Sequence, residues 1–166
     1  MIIVIPIIII SMLLESIISN FIALDSSIFI PLFSIISLVI IYPYFNNNDF
    51  NYLKYCTIIG LCYDIIFTNT LILNMVMFFV IGVVIKLINV FISNNPLNIT
   101  LISVASIIVY RFFTYIVLVT IGYFKYDFDY LLKSIYSSIF INVIYAIIVY
   151  LIADYYSKKY RISKID

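Results

Sequence analysis

The chain has 166 residues, of which 66% are hydrophobic and 10% charged, with a mean hydropathy of +1.23 and a formal net charge of +1. A soluble domain carries about 25% charged residues, so this is the composition of an integral membrane protein, and a net charge near zero gives no reason to expect nucleic acid or an acidic substrate. There is no histidine, and the two cysteines, Cys56 and Cys62, fall on different faces of a helix, which leaves no ligand set for a metal and no disulfide framework.

Six segments are long enough to cross a bilayer, for which roughly 17 to 25 residues are needed. They are Ile2–Ser19, Ile28–Phe45, Tyr52–Thr68, Leu71–Ile92, Ile99–Ile121 and Ser134–Ala153. The apolar beginning has no basic leader and no small-residue cleavage site, so it reads as a retained helix. The links are short (Asn20–Ser27, Asn46–Asn51, Asn69–Thr70, Ser93–Asn98 and Gly122–Lys133), and none could hold a domain of its own. The expectation is an all-α polytopic membrane protein. Its six-transmembrane-helix bundle covers residues 1–157, with a basic cytoplasmic tail at 158–166.

Orientation follows from basic residues near the span ends. Lys158, Lys159, Arg161 and Lys164 form the densest basic cluster, which places the tail in the cytoplasm. An even number of spans puts the beginning of the chain there too. Tyr42, Tyr44, Tyr52 and Tyr55 gather where an aromatic belt at one membrane interface is expected.

Polar residues interrupt the spans in stripes. Ser11, Glu15 and Ser19 recur at helical spacing in the first span, as do Ser134, Ser138 and Asn142 in the last. In the third span Cys56, Gly60, Asp64 and Thr68 share a small, polar face that ends in the turn at Thr68–Thr70. The fourth span aligns Asn74, Gly82, Lys86 and Asn89, with Lys86 snorkelling to the inner surface. The fifth gathers Thr100, Ser103, Ser106, Tyr110, Arg111 and Thr114. Hydroxyl and amide stripes of this kind serve as helix–helix packing surfaces. An ionisable group in a span marks a pathway, a partner site or an internal ion pair, because a lone charge in lipid is costly. Asp64 is therefore expected to pair with Arg111. Glu15, at similar depth, is expected to be solvated from outside or to bond Ser11 or Ser19.

No catalytic signature is present: no GxSxG, no HExxH, no phosphate-binding glycine loop and no histidine base. The expectation is a non-enzyme without cofactors.

These residues together resemble the MreD family, membrane subunits of the bacterial rod-shape complex, over nearly the whole chain. The resemblance is carried by Glu15-Ser16 in the first span, by Pro31 at the opening of the second, and by Gly60 with Tyr63-Asp64 before the polar turn. Asn142 in the last span completes it. The chain departs from the family pattern at Leu71-Ile72, where a Leu-Gly pair is usual, and at Ser137-Ser138, where a proline is common. Arg111 has no family counterpart. The resemblance implies a non-enzymatic scaffold in the bacterial cell membrane, supporting cell shape and peptidoglycan synthesis. Its implied partners are an MreC-like single-span protein, RodA and its transpeptidase partner, the MreB filament and membrane lipid. It also implies a fold similar to the substrate-binding subunits of energy-coupling vitamin transporters. That gives the alternative function, although Ile2–Ser19 lacks the alanines of their docking motif. A small ion-coupled carrier would rest on Glu15, Asp64 and Arg111 alone.

Overall fold

The computed structural model describes residues 3–22, 30–45, 48–68, 72–90, 95–123 and 125–162. Among them are six α-helices and one 3-10 turn: α1 Val4–Ile22, α2 Phe33–Ile41 running into the turn Tyr42–Phe45, α3 Asp49–Phe67, α4 Leu73–Asn89, α5 Pro96–Thr120 and α6 Phe128–Lys159. By length and composition, α5 and α6 are long and apolar enough to cross a membrane. The all-helical expectation is met.

The boundaries differ from the sequence reading most at α2 and α6. Only Phe33–Phe45 of the expected Ile28–Phe45 span is helical among the described residues. That is roughly 20 Å of helix against a hydrocarbon core of about 30 Å. Pro31 does not open the helix but precedes it. Proline disfavours helical backbone in the residue before it, and Leu32 is itself non-helical at φ −137°, ψ 45°. The helix starts only where other elements take up its first N–H groups. At the other end of the chain α6 begins six residues before Ser134 and continues to Lys159. Half of the expected outer link and the start of the basic tail are therefore helical. Asp127 starts the helix early by accepting the N–H groups of Asp129 and Tyr130, at 3.0 and 3.2 Å.

All nine residues of α2 are buried, and the helix packs against α1, α4, α5 and α6. The shortest α-helix among the described residues is thus the central strut, and a run that is apolar on all sides but for two small serines suits that position. Around it α3 pairs closely with α4, and α5 with α6.

Small residues permit the first of these pairings. A Cβ on Gly82 would come within 2.8 Å of Cys56 Sγ, and one on Gly60 would meet the α4 backbone at Asn74 O (2.5 Å) and Met75 Cα (2.7 Å). The close approach expected on the Cys56–Gly60–Asp64 face is therefore made by α4, the next helix in the chain. At the opposite end of the pair Lys86 Nζ lies 2.9 Å from Asp49 Oδ2, so this lysine holds an ion pair in addition to any snorkelling.

The expected tyrosine belt is corrected in part. Tyr42 and Tyr52 are buried and packed edge to face, and the Tyr52 hydroxyl donates to Leu38 O at 3.1 Å. The 3-10 turn folds these rings back under α2, where the hydroxyl finds a carbonyl in place of interfacial water.

Candidate functional site

Among the described residues two carboxylates lie in the interior, Glu15 at 1% and Asp64 at 2% exposure. Asp64 stands in the last turn of α3 and Glu15 about two turns before the end of α1, and each reaches the start of the next helix. The first N–H groups of a helix have no partner inside it, and the helix dipole favours negative charge there.

Asp64 on α3 accepts from the backbone N–H of Asn74 (3.2 Å) and of Met75 (3.1 Å), in the first turn of α4. Asn74 Nδ2 (2.9 Å) and Thr68 Oγ1 (3.1 Å) donate to it as well. Asn74 in turn accepts the Tyr110 hydroxyl of α5 at 2.9 Å. Gly60, one turn before Asp64, lets the α4 backbone come near enough for these bonds.

Glu15 on α1 does the same for α2. Its Oε2 accepts from Ser34 N (2.7 Å) and Ser34 Oγ (2.6 Å), and its Oε1 accepts the Tyr63 hydroxyl of α3 at 2.8 Å. Asn142 on α6 completes the start of α2. Its Oδ1 accepts Leu32 N at 2.7 Å, while its Nδ2 donates to Ile30 O (3.0 Å) and to Ser138 O (2.6 Å) on its own helix.

The expected charge pairing is overturned. Arg111 donates through Nε and Nη2 to Ser138 Oγ of α6, at 3.0 and 2.8 Å, and no ion pair joins it to Asp64. On α5 the neighbouring Tyr110 is the residue that reaches the Asp64 cluster, which turns Arg111 toward α6, about 100° further round. Asp64 is moreover supplied by α4 donors and has no need of a cation. Glu15 is neither solvated nor bonded to Ser11 or Ser19. Ser11 donates to Ile7 O and shares a 2.7 Å hydrogen bond with the Tyr145 hydroxyl.

The structure therefore brings the expected residues into three groups: Glu15 with Tyr63, Asp64 with Gly60 and Asn74, and Arg111 with Asn142 through Ser138. Sequence reasoning missed Ser34 and Tyr145. Ser34 and Ser37 are the polar residues of α2, and that rarity was the available signal; Tyr145 lies one turn beyond Asn142 on the same polar stripe of α6. The expected Thr68–Thr70 turn and the tail residue Lys164 fall largely or wholly outside the described residues, as does Leu71.

Chemically, both carboxylates act as acceptors and are occupied by donors of neighbouring helices. Among the described residues no three of His, Cys, Asp and Glu converge as a metal site would require. The arrangement anchors helix ends inside an apolar bundle. An all-helical membrane protein held by buried carboxylates at its helix starts is the class these features define. The family model described as rod shape-determining protein MreD matches residues 1–160 of the chain. The chain belongs to the MreD family. No curated protein and no solved structure matches it.

Proposed function

We propose that the chain is a non-enzymatic scaffold subunit of the bacterial cell-elongation complex, supporting cell shape and peptidoglycan synthesis through an MreC-like single-span protein. The observation that carries this reading is the family match over residues 1–160. The interior adds support, since Glu15, Asp64 and Asn142 are engaged in joining helices. RodA, its transpeptidase partner and the MreB filament are the further partners of the proposal. In the same reading the helices form a multi-pass bundle in the cell membrane with both termini cytoplasmic, as the basic residues from Lys158 onward suggest.

Depletion in a rod-shaped host tests the function. Rounded cells, and co-purification of an MreC-like protein from native membranes, are the expected results. Unchanged rod shape on depletion would refute the scaffold role, and capture of an ATPase pair in place of MreC would move the chain to the transporter class.

A further inference from the structure

The carboxylates of the helix-start network are matched to donors of neighbouring helices, but the two cations of a cleft along the first half of α6, Arg111 and Lys133, have no carboxylate in ion-pair contact among the described residues. One part of the cleft, about 50 Å³, is lined by Arg111, Thr114, Tyr115, Leu118, Tyr130 and Ser134. A second part of about 230 Å³ shares Tyr130 and Ser134 and adds Ile30, Lys133 and Ser137. Arg111 lines the first part and Lys133 the second, the two adjoin at Tyr130 and Ser134, and no carboxylate among the described residues lines either.

The donors there are under-used. A guanidinium carries five N–H groups. Arg111 spends two of them on the single acceptor Ser138 Oγ, and the others have no hydrogen-bond partner among the described residues. Lys133 makes no ion pair among the described residues either. A half-buried guanidinium with no carboxylate in direct contact is costly beside lipid, and the cost falls when an anion enters. A planar fork of N–H groups suits a phosphate, and an ammonium nearby adds a second point charge.

From this we infer that the α5–α6 cleft binds the phosphate of an anionic membrane phospholipid. Arg111 and Lys133 contact the phosphate oxygens, and the hydroxyls of Tyr130 and Ser134 serve the headgroup. The same halves of the two helices expose Phe113, Ile116, Leu132 and Tyr136, an apolar surface along which the acyl chains run. That surface favours a lipid over a free phosphate, because the cleft has room for a headgroup and no enclosure for a small ion. The inference rests on the membrane placement of α5 and α6 but not on the scaffold role.

The test is native mass spectrometry of the chain purified in neutral detergent, titrated with phosphatidylglycerol, with diacylglycerol and with inorganic phosphate. Phosphatidylglycerol is expected to bind in preference to diacylglycerol. Arg111→Gln and Lys133→Gln are each expected to weaken it about tenfold or more, the usual consequence of losing a charge-assisted hydrogen bond. Lys125→Gln, outside the cleft, should leave binding unchanged. Equal retention of phosphatidylglycerol by the wild type and Lys133→Gln overturns the inference even if Arg111→Gln fails to fold. So does equal binding of diacylglycerol, or full occupation of the cleft by inorganic phosphate alone. A chain that binds lipid as described but does not restore rod shape would sink the scaffold proposal and leave this one standing.

Discussion

The two buried carboxylates do the same physical work over different lengths of chain. Among the described residues Asp64 draws its donors from within the α3–α4 pair: Thr68 four residues on, Asn74 ten on and Met75 eleven on. Glu15 reaches nineteen residues on to Ser34 and forty-eight on to Tyr63, and the helix start it anchors is completed by Asn142 from the far end of the sequence. Asp64 therefore fastens a hairpin, whereas Glu15 fastens α1 and α3 to the central strut α2. One is a local device and the other a closing device of the whole bundle.

The largest expected effects come from removing either carboxylate. Glu15→Ala and Asp64→Ala each strand buried donors, at a cost of about 3–5 kcal/mol of stability. The distribution of the damage separates the sites. Hydrogen exchange measured by mass spectrometry in detergent should show the Asp64→Ala loss of protection concentrated in the start of α4. The Glu15→Ala loss should extend across α1, α2 and α3. Identical exchange patterns for the two variants would abolish the distinction between a local and a closing anchor.

Next in size is Gly60→Ala, which acts on the local anchor alone. The added methyl would overlap Asn74 O, Asn74 C and Met75 Cα, all backbone atoms that yield only if α4 moves as a body. Overpacking of this kind costs about 1–3 kcal/mol, and displacing α4 also lengthens the bonds to Asp64. A melting temperature in detergent equal to that of the wild type would show that the α3–α4 approach is looser than 2.5 Å at Asn74 O implies.

A smaller effect, of opposite sign, is expected at Ile72. It has φ 83° and ψ −23° at the start of α4, a left-handed conformation that a β-branched residue adopts at a cost. Its side chain is 59% exposed, so little packing is lost by removing it. Ile72→Gly should stabilise the chain by about 1 kcal/mol. Glycine is also what the family resemblance places at this position, so the departure is a tolerated strain at the start of the helix that Asp64 anchors. A decrease in melting temperature for Ile72→Gly would contradict this account.

What the sequence made legible follows the same division. The stretch from Cys56 to Asn74 shows its logic on one helix face: small residues for close approach, a carboxylate, then a break and a new helix whose first N–H groups lie within reach. The existence of six helices was legible from hydropathy because each apolar run is bounded by polar links. The partners of Glu15 were not legible, because spacing within one helix says nothing about which distant helix start lies opposite. The length of α2 was misread for a related reason. Ile28–Phe45 is apolar but for Ser34, Ser37 and the tyrosine hydroxyls, and hydropathy cannot distinguish a spanning helix from a short strut buried on all sides. Pro31 carried the necessary information, since the residue before a proline avoids helical backbone.

The smallest expected effect is a coupling near zero, and it bears on the error made about charge. Intuition pairs the interior cation with an interior anion, and Arg111 with Asp64 was the natural choice. The structure instead supplies Asp64 with four neutral donors from the described residues and turns Arg111 to Ser138. The effects of Asp64→Asn and Arg111→Ala on thermal stability should therefore add within about 0.5 kcal/mol, as they do for residues without shared partners. Tyr110 is the route by which they could fail to add, because it neighbours Arg111 on α5 and bonds Asn74, which bonds Asp64. The cycle is for that reason repeated in a Tyr110→Phe background. A coupling that vanishes there would be relayed through the phenol, and one of about 1 kcal/mol or more that persists would mean that the guanidinium and the carboxylate interact directly. By contrast, Glu15→Gln with Tyr63→Phe should be clearly non-additive, since the 2.8 Å hydrogen bond between them is shared. Neutral donors on one anchor, and a phenol shared between helices on the other, account for how two carboxylates remain buried without an ion pair to Arg111.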